Sequence, residues 1–267
     1  MEATKKFELT DNVIEFNGIT LHRIKALKNF SNVKAGDLGG WIEKENNLSQ
    51  IGNAWIGGDA KVCDNAKAFG NAQIYGNVQI YGNAQICGKA QVFGNAQICG
   101  NTSVCGTALI YGGAKVYGNA RVYGNAEVYG KSMVYGDAQV YGCARVFGNA
   151  IVFVNAKVYG FAEICGHARV FGNARVYGYA EVSGDAKVYG RAKVYDNAWV
   201  YGKSKVYGNA RIYDNARVHG NVEICWNAKV FDYTEVFGDA HICDETKVCG
   251  EAKVCDNAYN TKNKNEE

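Results

Sequence analysis

The chain has 267 residues and a formal net charge of only +3, so bulk charge does not argue for a nucleic-acid partner. No apolar stretch reaches the length of a membrane-spanning helix. The start, MEATKKFELTDNVIEF, has no apolar run of signal-peptide length, so the expected compartment is a reducing cytoplasm in which cysteines stay thiols.

Residues 1–47 lack the repeat that fills the rest of the chain. VIEFNGITLHRI reads as two strands around an Asn17-Gly18 turn, and KAGDLGGWIEKENNLSQ follows. This segment is expected to be a β-rich cap, because the end of a repeat stack exposes a bare layer of strands.

From Cys63 to Cys255 the sequence runs through 33 consecutive hexads without an insertion or deletion. Each reads Ala–polar–Val–Tyr–Gly–Asn. The fourth place is Tyr 15 times, Cys 9 times and Phe 7 times, so it is aromatic or Cys almost without exception. Alternation over the first four places is a strand signal, with Ala and Val facing in and the polar residue and Tyr facing out. Gly and Asn tolerate positive φ and supply the bend. Proline is missing from the whole chain, as expected where each strand must donate to a neighbour on either side. A strand this short cannot fold alone; copies stacked in register bury Ala and Val and pair the backbone. The fold class is therefore all-β, a parallel β-solenoid over 48–258, with a polar C-terminal tail at 259–267. Spacing alone leaves open a three-hexad coil of 18 residues and a two-hexad coil of 12.

The pattern resembles the hexapeptide-repeat family of left-handed β-helices, in which an aliphatic residue is followed four places later by a small one. Val116 and Ala120, Val122 and Ala126, and Val128 and Ser132 carry the match. The resemblance implies a triangular coil of 18 residues and a left hand. The start, with Lys34 to Glu43 reading KAGDLGGWIE, is similar to a bacterial and phage-associated subgroup often labelled transferases. Many members of the wider family are acyltransferases that use a histidine base and a loop breaking out of the coil. No insertion supplies such a loop here, and His22, His167, His219 and His241 have no sequence neighbour that marks a positioned base. Acyltransferase activity is thus an alternative reading, and no catalytic residue or cofactor is assigned.

With 18 residues per coil, every third hexad shares a face. One face carries Lys67, Gln85, Ser103, Arg121, Gln139, Lys157, Arg175, Lys193, Arg211, Lys229 and Lys247 at its polar place, with no acid among them. Its outward neighbours include Tyr123, Tyr141, Tyr159, Tyr177, Tyr195 and Tyr213. A second face holds Glu127, Glu163, Glu181 and Glu235, and the third is mixed, with Met133, Ile151 and Glu223. Stacked like charges repel, so an all-basic stripe suits a polyanion. Interleaved aromatic rings would add stacking for single-stranded nucleic acid. Arg121, Lys157, Arg175, Lys193, Arg211, Lys229 and Lys247, with those six tyrosines, are the candidate polyanion-binding residues. The expected function is a non-catalytic binding scaffold for nucleic acid or an acidic protein, including as a phage-encoded inhibitor. A self-associating structural rod is the other alternative.

Nine of the ten cysteines take the Tyr place, where they serve as small apolar residues, and Cys143 sits at a corner. No C-x-x-C and no Cys/His cluster with zinc spacing occurs, so no metal site is expected. The 18-residue coil would stack Cys87 over Cys105 and Cys225 over Cys243, within disulfide reach. Aromatic ladders and a weakly capped last coil favour a homo-oligomer.

Overall fold

The computed structural model describes residues 5–256. The polar tail expected at 259–267, and the last two residues of the expected solenoid, lie outside them. The chain divides into two compact units, Met1–Gly130 and Lys131–Glu267. Each is a parallel β-solenoid, and no described residue is α-helical. Among the described residues, no helix is long and apolar enough to cross a membrane.

The first unit opens with β1 (Phe7–Phe16) and β2 (Ile19–Ala26), an antiparallel hairpin. Its turn puts Asn17 at φ 52° and Gly18 at φ 78°, the two positive values that an Asn-Gly hairpin loop supplies. Next, β3 (Leu38–Ile42) pairs antiparallel with β2 and parallel with the first coil, Trp41 opposite Lys61 and Ile42 opposite Val62. Coil pairing therefore begins at Trp41, about seven residues before Leu48, where the repeat becomes visible in sequence.

The Gly39-Gly40 pair explains that early start. A Cβ at Gly39 would lie 2.6 Å from the Ile56 carbonyl oxygen, and one at Gly40 would lie 2.6 Å from that of Ala60. Only glycine lets this strand close against the coil beneath it. Around the pair, Asp37 accepts the Lys34 N–H (2.8 Å), Arg23 lies over the Trp41 ring and Glu43 accepts the Asp64 N–H (2.6 Å). The conspicuous KAGDLGGWIE stretch thus joins the hairpin to the solenoid.

From Trp55 onward, strands within each unit pair at a separation of 18 residues, for example Gln97 with Lys115 and Arg175 with Lys193, so three hexads make a coil and each unit has three parallel sheets. Ala and Val point inward and are fully buried, as at Ala174 and Val176, while the polar residue and Tyr point outward. Each hexad sends three backbone N–H groups to the next coil. In one hexad, Arg175 donates to Ala192, Tyr177 to Val194 and Tyr179 to Asp196, at 2.7–3.0 Å.

The corner departs from the expectation in one respect. Only the fifth residue has positive φ, as at Gly106 (+72°), where a Cβ would also meet the Gly124 backbone at 2.8 Å. Asn at the sixth place keeps an ordinary φ. It is used for its amide: Asn65, Asn83 and Asn101 donate Nδ2 to the Oδ1 of Asn83, Asn101 and Asn119 in turn, at 2.8–3.1 Å.

Candidate polyanion-binding face

In the second unit, one sheet sets Gln139, Lys157, Arg175, Lys193, Arg211, Lys229 and Lys247 opposite one another, coil upon coil. Strand neighbours lie ~4.8 Å apart, inside the Debye length of about 8 Å at physiological salt, so the six charges act on one another largely unscreened. Among the described residues, none of the six has an ion-pair partner. The other two sheets of this unit behave differently. Arg145 meets Glu163 at 2.6 Å and Lys205 meets Glu223 at 2.6 Å, each across one coil. Arg169, Lys187 and Lys205 also stack, but that run ends on the Glu223 carboxylate.

Two residues after each of the first five cations stands a ring. Tyr141, Tyr159, Tyr177, Tyr195, Tyr213 and Phe231 form one continuous ladder, with centroids 4.8–5.0 Å apart and planes within 4° of parallel. This is the offset-stacked arrangement that aromatic quadrupoles favour. The faces of the inner rings are consequently turned to their own neighbours. A ligand would meet ring edges and phenol hydroxyls here, and open ring faces only at the ends of a ladder.

Burial pushes the phenols of Tyr159, Tyr177 and Tyr213 above their ordinary range, and that of Tyr195 up to about 12. Arg175 pulls Tyr159 and Tyr177 back down, and Arg211 does so for Tyr177, Tyr195 and Tyr213, which places the guanidinium groups beside the phenols. At neutral pH the ladder therefore presents neutral O–H groups next to fixed positive charge.

Arg121 and Tyr123 belong to the first unit. Arg121 is exposed and in register with Ser103, and Tyr123 stands two residues on, also exposed. The stripe in that unit is diluted by Gln85 and Ser103, so the dense run is the one from Lys157 to Lys247.

The sequence reading passed over five exposed aromatic residues of the second unit, Trp226 among them. Phe161 and Tyr179 occupy the corner just after the ladder, 52% and 62% exposed, and stack on each other at 4.9 Å. Trp199 begins the next strand and carries the Arg217 guanidinium 5.2 Å from its ring centroid. Tyr233, 70% exposed, lies at another coil of the same corner as Phe161 and Tyr179. The signal was present, since aromatic residues at the Asn place break the repeat in the apolar direction.

The histidines have separate settings. The His22 ring faces the Thr10 carbonyl at 3.2 Å, and His167 holds a corner. His219 is a rung between Tyr201 and Phe237, with Nε2 3.1 Å from Glu235. His241 lies beside Cys225 and Cys243. Both predicted cysteine stacks occur, as disulfides, with Cα separations of 4.7 Å for Cys87–Cys105 and 4.6 Å for Cys225–Cys243.

No curated protein matches the chain. Among families, the YdcK β-solenoid repeat matches at residues 114–130, 162–178, 168–184 and 204–220. Two of these windows begin six residues apart, in keeping with the hexad, and three lie in the second unit, where they include Arg175, Tyr177, Arg211 and Tyr213. The chain is thus a parallel β-solenoid repeat protein, similar over those coils to the YdcK repeat.

Proposed function

We propose that the protein is a binding module and that its second unit holds an extended polyanion along the sheet from Lys157 to Lys247. The observation that carries this reading is the unbroken run of six stacked cations, none of them paired with an acid among the described residues. Like charges on adjacent strands destabilise a sheet, and a bound anion relieves that cost. Neutral phenol groups beside the cations add donors for phosphate or carboxylate oxygens. Because the inner ring faces are taken by the ladder, charge and hydroxyl contacts dominate over base stacking. Recognition is therefore largely independent of base sequence. Single-stranded nucleic acid and an acidic protein segment share the required chemistry.

The test compares two charge reversals of equal size by fluorescence anisotropy, with a labelled single-stranded oligonucleotide and a labelled polyglutamate peptide as probes. Arg175→Glu, Lys193→Glu and Arg211→Glu together should abolish binding at low salt and leave the circular dichroism spectrum unchanged. Lys115→Glu, Arg169→Glu and Lys187→Glu, on another sheet, should change affinity much less. Equal effects of the two triples, or no binding of either probe by the unaltered protein, would overturn the reading. Which probe binds more tightly identifies the class of partner.

A further inference from the structure

The second unit brings together three soft or borderline metal ligands from two successive coils. Glu223 and Cys225 lie on one coil, and His241 and Cys243 lie on the next, with Glu223 directly opposite His241. The ligand atoms of Cys225, His241 and Cys243 all fall within 4.8 Å of one another. His241 Nε2 stands 3.0 Å from the Cys243 sulfur and 3.9 Å from that of Cys225. The other ring nitrogen, Nδ1, faces Glu223 Oε2 at 3.7 Å. Glu223 is itself held by Lys205 Nζ at 2.6 Å and by the Tyr207 hydroxyl at 3.5 Å. Cys225 is buried, Cys243 is half-buried and His241 is exposed, so the cluster has a floor and an open side.

We propose that Cys225, Cys243 and His241 form a redox-gated site for a thiophilic divalent cation, zinc being the natural probe. Two thiolates and one imidazole match zinc's preference for sulfur and nitrogen, and water takes the fourth, solvent-facing position. Two thiolates also cancel the charge of the ion. Glu223 acts as the positioning residue: its carboxylate, 3.7 Å from Nδ1, favours a proton on that nitrogen, which leaves the Nε2 lone pair facing the sulfurs. Lys205 Nζ, 2.6 Å from Glu223 Oε1, holds that carboxylate in place beside the imidazole.

The gate is the disulfide. A thiol reductant supplies two electrons and two protons, leaves as its own disulfide and frees two thiols. Those thiols release their protons to solvent as the cation binds. The protein contains its own comparison, because Cys87 and Cys105 stack in the same way but follow Gln85 and Ser103 instead of an imidazole.

The experiment uses the full chain with exposed Cys249 and Cys255 replaced by serine, reduced with a phosphine and stripped of metal. Zinc is titrated against a chromophoric chelator, and cobalt(II) serves as the spectroscopic probe. The expected result is one zinc per chain with thiolate-to-cobalt charge-transfer absorption. Cys225→Ser with Cys243→Ser should abolish it, and Cys87→Ser with Cys105→Ser should leave it intact. Oxidised protein should bind none. His241→Asn, at an exposed position that leaves the core untouched, should weaken binding and reduce the nitrogen contribution to the cobalt spectrum. Glu223→Gln should cost about tenfold in affinity. Absence of binding by the reduced protein, or equal binding by the Cys225/Cys243 and His241 variants, overturns the proposal.

Discussion

Ser204 and Thr234 stand where most hexads place alanine, and both are fully buried. Each hydroxyl donates to a carbonyl three residues earlier, Ser204 to Tyr201 at 2.8 Å and Thr234 to Phe231 at 2.7 Å. Thr102 occupies the same place, 1% exposed, yet its hydroxyl finds no partner. An unsatisfied buried hydroxyl costs free energy that a shape-matched apolar group does not. Val78 and Val222 already fill this position in other coils. Thr102→Val should therefore stabilise the protein by about 1 kcal/mol, and Thr234→Val should destabilise it by a similar amount. Urea unfolding midpoints of the two variants decide this, and a shift of the same sign in both would contradict it. The hexad made the inward place legible as small, but not which hydroxyls are satisfied. That depends on the local path of each turn, which the repeat does not encode.

The ladder is the element through which outward residues support the coils. Tyr177 stacks on both Tyr159 and Tyr195, whereas Phe231 stacks on Tyr213. Each aromatic pair contributes about 0.5–1.5 kcal/mol beyond the area it buries. Tyr177→Ala should accordingly cost about 1 kcal/mol more than Phe231→Ala in chemical unfolding. The same ladder makes stability fall at alkaline pH. Burial raises the Tyr195 phenol to about 12, and those of Tyr159, Tyr177, Tyr189, Tyr207 and Tyr213 also lie above their ordinary value. A raised folded-state pKa means that the unfolded chain loses its phenol protons first. The contribution is complete below the ordinary tyrosine pKa of about 10 and is lost as pH rises through the folded values. Thermal scans from pH 9 to pH 12 should show the loss beginning near 10, and replacing Tyr177, Tyr195 and Tyr213 by Phe should reduce it. The parity of Val and Tyr announced which residues face out. How the rings would turn was not legible, because that requires knowing that Tyr159 lies under Tyr177.

Across the molecule, charge is sorted by sheet. In residues 131–256 the acids Glu163, Glu181 and Glu235 occupy one sheet, Glu223 another, and the third carries only Gln139 and six cations at its polar places. Because the register never slips over 33 hexads, a residue's face follows from its number, and this sorting was readable before any coordinates. The approach of His241 to Cys225 and Cys243 was not: ligands 16 and 18 residues apart match no chain-local motif, and they meet only because one coil takes 18 residues.

The sorted charge sets the salt dependence of binding. Six cations on adjacent strands span ~24 Å, so an extended single strand lying along them neutralises up to six phosphates. Released counterions give a slope of about −0.7 per neutralised phosphate in a plot of log affinity against log salt, or about −4 for the full stripe. Raising salt from 50 to 200 mM should then weaken binding by about two to two and a half orders of magnitude. Lys193→Ala removes one contact from the middle of the run and should reduce the slope by about 0.7, equally for oligonucleotides of different base sequence. Fluorescence anisotropy over that salt range measures both quantities. A slope unchanged by Lys193→Ala would place the bound strand elsewhere, and strong dependence on base sequence would point to ring-face or base-edge contacts instead of the charged stripe.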